Sequence, residues 1–150
     1  MAQASAGGCA RDLDYHKLDF WLGSWKVFSA KGAKSADVKI SSILDGCGIS
    51  EDWKSAHGAN GRGLAGYDRR TGKWNYFWLS ATGALTHLME EKGSAGSVQF
   101  SVTQNDTRGM PRLRHWTLSV MPQGGLRELS MGSADNGKSW TKEYELFWRR

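Results

Sequence analysis

The sequence predicts an all-β protein, folded as a single closed antiparallel β-barrel of about ten strands that follows a short helical turn. Two observations predict this fold class. Turn signals recur at near-regular spacing, and most segments between them alternate apolar and polar residues, which is the period of a half-buried strand. The only helix-like stretch is short, from Asp12 to Phe20. We expect the strands to close into a barrel, because closure leaves no long unpaired edge.

Nine turn signals separate the ten segments, and several are the Asn-Gly or Asp-Gly pairs that favour tight hairpins. In chain order they are Lys31-Gly32, Asp45-Gly46, Asn60-Gly61, Thr71-Gly72, Thr82-Gly83, Gly93–Gly96, Asn105–Pro111, Pro122–Gly125 and Asp135-Asn136-Gly137. The chain carries no obvious linker, repeat or low-complexity segment. We therefore expect one barrel domain over residues 18–150, after a partly ordered N-terminal tail over residues 1–17.

The composition suits one globular domain of 150 residues and argues against several other classes. Aromatic residues make up 11% of the chain, and eight residues are Trp, which is too aromatic for a disordered protein. No apolar run reaches about 18 residues, so we expect no membrane span. The net charge is +5, but the basic residues are scattered, so we expect no nucleic-acid partner. A monomer and a homodimer are both compatible with this composition.

The two cysteines, Cys9 and Cys47, leave two readings open. Their spacing does not suit a zinc site. They form one disulfide if the protein is exported, or stay as free structural thiols if it is cytoplasmic. The opening Met-Ala-Gln-Ala-Ser-Ala has neither a basic nor an apolar signal region, but it is typical of the small-residue stretch that remains after a signal peptide is trimmed.

Strand parity sorts the side chains into an inner and an outer face, because alternate residues of a strand point to opposite sides. The inward candidates are Glu51, Trp53, Trp74, Tyr76, Trp78, Ser80, Leu85, His87, Met89, Arg114, Trp116, Lys142, Tyr144, Leu146 and Trp148, with Glu128 on a strand of ambiguous parity. A filled core disfavours so many ionisable groups. The pattern therefore predicts a cavity with a mouth, of the kind in which barrels hold one small ligand.

Two of these inward candidates are suited to proton transfer. Glu51 lies between Ile49 and Trp53, an apolar setting that raises a carboxyl pKa toward neutrality. His87 is the histidine with inward parity and is the usual proton shuttle at neutral pH. We predict this pair as catalytic, with Glu128 as a second acid. The alternatives are a structural ion pair of Glu51 with Arg114 or Lys142, and a hydrogen-bonded lining role for His87.

The remaining inward polar and aromatic residues are candidates for substrate binding. Arg114 and Lys142 are expected to hold an anionic ligand group or to extend to water at the mouth. Tyr76 and Tyr144 are expected to donate hydrogen bonds to the ligand. The flat cavity walls are expected to be the rings of Trp53, Trp78 and Trp116. The sequence has no HxH or HExxH spacing, no phosphate loop and no dinucleotide fingerprint, so we predict no metal and no cofactor.

The run Asp19-Phe20-Trp21-Leu22-Gly23-Ser24-Trp25 resembles the opening of a bacterial domain-of-unknown-function family of calycin (lipocalin-like) β-barrels. Similar matches follow in order at Ile43–Cys47, Glu51, Trp53, Gly66–Asp68, Thr71–Trp74, Trp78 and Ser133–Trp140. The resemblance covers the chain from Leu18 to Arg150 and implies a lipocalin-like barrel. It also implies that Trp25 closes the barrel base under an Arg of the last strand, either Arg149 or Arg150.

The chain departs from the family pattern at four interior positions, which suggests a cavity adapted to its own ligand. Tyr76 and Glu128 replace an expected Gln, Ser130 a large aromatic residue, and Ser80 an Asp. We predict a cofactor-free acid–base enzyme of lyase, isomerase or cyclase type, acting on a small hydrophobic or aromatic substrate. The alternatives are a non-catalytic carrier or sensor with the same cavity, and an interaction module with a filled barrel.

Overall fold

The computed structural model describes residues 8–150 and confirms a closed ten-stranded antiparallel barrel. The strands are β1 (Gly23–Ser29), β2 (Lys34–Ile43), β3 (Gly48–Ser55), β4 (Gly61–Asp68), β5 (Lys73–Ser80), β6 (Leu85–Ser94), β7 (Ser97–Asn105), β8 (Pro111–Val120), β9 (Leu126–Ser133) and β10 (Thr141–Arg149). Each strand pairs with the next one in sequence, and β10 returns to pair with β1 over Lys26–Ser29. The opening residues 1–6, interpreted above as a trimmed signal remnant, lie outside the described residues.

The N-terminal segment covers one end of the barrel with short helical turns. A helix α1 (Gly8–Arg11) precedes 3-10 turns at Leu13–His16 and Asp19–Trp21. The predicted helix from Asp12 to Phe20 is therefore two separate turns. The segment is anchored by apolar side chains at three-residue intervals across the two turns. These buried anchors are Tyr15, Leu18 and Trp21.

A disulfide ties this N-terminal segment to the barrel. Cys9, the second residue of α1, is bonded to Cys47, which follows the 3-10 turn Leu44–Gly46 between β2 and β3. The two Cα atoms lie 5.0 Å apart, within the usual range for a disulfide. The sequence left open whether Cys9 and Cys47 form a disulfide or stay as free thiols, and in the structure they form the disulfide.

Aromatic side chains fill the covered end of the barrel. Trp148 is fully buried and makes edge-to-face contacts with Trp21 and Trp25, with ring centroids 6.3 and 6.2 Å apart. The guanidinium of Arg150 lies 4.0 Å from the Trp25 ring and donates a hydrogen bond to the Leu22 carbonyl. This packing leaves the opposite end of the barrel as the place where a cavity opens. Among residues 8–150, no helix has the length and apolar character needed to cross a membrane.

Candidate functional site

A cavity of about 500 Å³ opens at the end of the barrel opposite the N-terminal segment. Its rim includes Ser80, Thr82 and Ala84 in and beside the turn between β5 and β6. Deeper in the barrel its walls are aromatic and aliphatic, and they carry two carboxyl groups. These deeper lining residues are Glu51, Trp53, Tyr76, Trp78, Leu88, Trp116, Glu128, Tyr144 and Leu146. The volume is within the range of small-molecule sites.

Glu51 is a buried acid on the inner face of β3, with only 4% of its surface exposed. The Tyr76 hydroxyl of β5 donates a hydrogen bond of 2.7 Å to its Oε2 atom. Desolvation raises the pKa of Glu51 to about 8; the Tyr76 hydrogen bond opposes this shift and the nearby Glu128 carboxyl adds to it. Glu51 is therefore mostly protonated at neutral pH. It forms no ion pair within the described residues, in contrast to the ion-paired alternative.

Gly63 of β4 makes room for the contact between Glu51 and Tyr76. It lies opposite Glu51 in the register of β3 and β4. A Cβ atom at Gly63 would lie 2.9 Å from Glu51 Oε2 and 2.8 Å from the Tyr76 ring, closer than real Cβ contacts. Burial also raises the pKa of Tyr76, and the Glu51 carboxyl adds to the shift. The tyrosine hydroxyl is thus a neutral donor throughout the physiological range.

Glu128 is the second buried acid, on the inner face of β9 with 5% of its surface exposed. Sequence parity left its face undecided. The Trp148 indole N–H donates a hydrogen bond of 3.0 Å to Glu128 Oε1. Burial raises the pKa of Glu128, while hydrogen bonds from Trp116, Trp148 and Tyr144 oppose that shift. The cavity therefore holds two carboxyl groups that both resist ionisation.

Arg114 of β8 also lines the cavity, but its charge is already paired. Its Nε donates to Glu143 Oε1 at 2.9 Å, and its Nη atoms donate to Gln104 Oε1 at 3.2 Å and to Ser130 Oγ at 3.4 Å. Arg112 lies beside the same carboxylate, 3.5 Å from Glu143 Oε2. The predicted anion-binding arginine is thus neutralised by Glu143, an acid that is not among the predicted inward residues.

A bulge in β10 explains this difference. Lys142 pairs with Met131 and Tyr144 pairs with Ser130, so Glu143 is an extra residue in the ladder. Tyr144 consequently lines the cavity, whereas Lys142 points outward and its Nζ lies 3.5 Å from Glu145. The prediction that Lys142 faces inward is wrong, because the bulge breaks the strict alternation of the strand. Desolvation and the Glu128 carboxyl raise the pKa of Tyr144.

His87 lies on the outer face, so the predicted pairing with Glu51 is wrong. Its ring stacks on Phe77 at 4.3 Å, and Nε2 lies 2.8 Å from Asn75 Oδ1. In the register of β5 and β6, Tyr76 is opposite Leu88, which places Leu88 and its alternate neighbours inside the barrel. The assigned face was the wrong one because apolar side chains occupy both faces here. The exposed ones are Leu64, Phe77, Leu79, Leu85 and Met89.

The predicted tryptophan wall lies in the cavity. Trp53 and Trp78 meet edge to face, with ring centroids 6.2 Å apart. Trp116 stacks on Tyr76 at 5.2 Å, with the ring planes 16° apart. The structure thus brings together seven of the predicted binding and catalytic residues around Glu51, and leaves His87 and Lys142 outside.

The chain's own residues offer no ready metal centre in the part of the chain that the structure describes. No group of three or more His, Cys, Asp or Glu side chains there could hold a metal ion. Comparison of the chain with protein-family models and with curated proteins finds no match.

Proposed function

We propose that this protein binds a small aromatic molecule inside its barrel. The observation that carries the proposal is a cavity of about 500 Å³ whose walls are aromatic rings and whose depth holds two buried carboxyl groups. An apolar pocket with a few convergent polar groups is the usual form of a small-molecule site. The flat faces of Trp53 and Trp116 supply stacking area, and the carboxyls fix the orientation of the ligand.

Tryptophan substitutions test this proposal. Trp53→Leu removes one wall of the cavity, so the affinity for small aromatic ligands should fall at least ~10-fold. Trp140→Leu is the matched control, because Trp140 stacks on His115 at 4.0 Å and does not line the cavity. Binding is measured by calorimetry against a panel of aromatic compounds. Equal affinity of the two variants and the wild-type protein would place the ligand elsewhere and overturn the proposal.

Acid–base catalysis of lyase, isomerase or cyclase type is a second candidate function, favoured by the contact between Glu51 and Tyr76. A neutral carboxyl group with a pKa of about 8 is matched to proton donation near neutral pH. Because Tyr76 donates to Oε2, the acid proton of Glu51 is left on Oε1, on the side of the cavity. In this mechanism Glu51 protonates the substrate and Tyr76 stabilises the carboxylate that remains.

One pair of variants distinguishes acid–base catalysis from a carrier function. If Glu51 transfers a proton, Glu51→Gln keeps ligand affinity within about 3-fold and lowers turnover at least ~100-fold. His87→Gln is the control and should leave both quantities unchanged, since His87 lies on the outer face. A ligand that binds tightly and leaves unaltered from the wild-type protein would instead support a carrier or sensor.

A further inference from the structure

We infer that the cavity selects a positively charged aromatic amine, a small molecule that carries both an aromatic ring and an ammonium group. This inference rests on the proposed binding function and specifies the chemical class of the ligand. It is carried by three observations: the ionisable groups that line the cavity, an unpartnered oxygen of Glu51, and the ring faces beside it.

The ionisable groups that line the cavity favour a cation over an anion. Its lining contains two acids, Glu51 and Glu128, and one base, Arg114. The base is already paired with Glu143 at 2.9 Å and is held by two further hydrogen bonds. An anionic ligand would therefore find no free positive charge among the described lining residues, whereas a cation can pair with an acid of the lining that releases its proton.

The unpartnered oxygen belongs to Glu51, which is more than nine-tenths buried and lines the cavity. Its Oε2 atom is occupied by the Tyr76 hydroxyl. Its Oε1 atom has no hydrogen-bond partner among residues 8–150. Oε1 is also not one of the side-chain atoms in that part of the chain that are both inaccessible to solvent and without a partner. Oε1 is therefore the oxygen that the cavity leaves open for an N–H donor.

The rings around the cavity suit a cation as well as an aromatic group. Trp53 and Trp78 are perpendicular, with an interplanar angle of 88°, so they present a face and an edge to the same space. The negative face of an indole attracts a cation, and this attraction grows when water is excluded. The stacked pair Tyr76 and Trp116 supplies a flat surface for the ligand's own ring.

Binding of an ammonium group at neutral pH has a defined proton balance. The Glu51 carboxylic acid releases one proton to the solvent, and the resulting carboxylate pairs with the bound ammonium, so no other reactant is needed. The titratable and charged groups around Glu51 are Tyr76 on β5, Arg114 on β8, Glu128 on β9, and Tyr144 and Glu143 on β10. Both tyrosines have raised pKa values and stay neutral, while Arg114 and Glu143 neutralise each other.

Four probes of similar size and different charge test the inference by calorimetry at pH 7: 2-phenylethylamine, its trimethylammonium analogue, 2-phenylethanol and 3-phenylpropionate. We expect the amine to bind at least ~10-fold more tightly than the alcohol, and the carboxylate to bind more weakly than the alcohol. The trimethylammonium analogue has no N–H group for Glu51 Oε1, so it should bind more weakly than the amine but more tightly than the alcohol. Heats measured in two buffers of different ionisation enthalpy should show that the amine releases protons when it binds. Glu51→Gln and Glu128→Gln should each reduce the advantage of the amine over the alcohol.

Three results overturn the inference and are distinguishable. If the alcohol or the carboxylate binds as tightly as the amine, the cation preference is refuted, but the aromatic cavity proposed above stands. If none of the four probes binds, while Trp53→Leu and the wild-type protein also behave alike with the wider panel, both the inference and the proposed function fail. Retention of the full amine preference in Glu51→Gln would remove Glu51 from recognition and overturn the inference as argued.

Discussion

Replacement of Glu51 by Gln should stabilise the protein increasingly as the pH rises. The wild-type side chain is 4% exposed and carries a carboxyl group whose pKa is raised from 4.5 to about 8. In the unfolded chain the same group ionises near its ordinary value. Between these two values the unfolded state loses a proton that the folded state keeps, so the free energy of unfolding falls as the pH rises. Gln has no proton to lose and escapes this penalty.

The size of the effect follows from the two pKa values. Each unit of difference corresponds to about 1.4 kcal/mol, so a difference from 4.5 to about 8 gives about 5 kcal/mol in total. At pH 7 the ionisation of the unfolded state has already cost the wild-type protein about 3 kcal/mol. Below pH 4.5 the carboxyl group is protonated in both the folded and the unfolded state, so the stability that the protonated group supplies is fully present. Above pH 8 the folded group ionises too, and the stability it supplied has been lost.

Urea denaturation of the wild-type protein and the Glu51→Gln variant from pH 4 to pH 9 measures this effect. The difference in unfolding free energy should stay constant below pH 4.5, increase in favour of the variant up to about pH 8, and then level off. The Gln amide adds a constant offset through its contact with Tyr76, so the slope is the informative quantity. Parallel stability curves across this range would refute the burial argument for Glu51.

Two further perturbations test the frame around the cavity. Replacing Cys9 and Cys47 by Ser should lower the unfolding free energy by about 4 kcal/mol, because the disulfide closes a loop with a sequence separation of 38. Urea denaturation measures this loss, and a value below about 1 kcal/mol would contradict the prediction. Gly63→Ala should cost about 1–3 kcal/mol and weaken ligand binding, since the new methyl group must displace Glu51 or Tyr76. Gly66→Ala is the matched control on the same strand, with nothing within 4 Å of its added Cβ, and equal losses in both variants would contradict the steric argument.

Much of the barrel could be predicted from the sequence because turns and alternation are local signals. The predicted turn signals Thr71-Gly72 and Thr82-Gly83 lie just before and just after β5. The closure of the sheet followed from the number of strands. The disulfide could not be decided in this way, because pairing depends on the approach of two Cα atoms that lie far apart in the chain.

The candidate site was predictable only where one face of a strand is clearly apolar. Glu51 lies between Ile49 and Trp53, and its inward position followed from that setting. In β6 the apolar residues fall on both faces, so the residue pattern provided no basis for placing His87 outside. No turn residue in the sequence marks the bulge at Glu143 in β10. Only the pairing of β10 with β9 shows that Glu143 is the extra residue of the strand.

The inner face of β4 has a consequence for how this barrel can change. Gly61 and Gly63 carry no side chains there, and the Trp78 and Tyr76 rings of β5 lie directly against their backbone. The two rings line the cavity and rest on main chain, which leaves them no room to move outward for a larger guest. Each methyl group added at these two positions would shift a neighbouring ring toward the opposite wall. Single substitutions on this strand would therefore narrow the cavity, and a side chain at Gly63 would also press on the Glu51 carboxyl group.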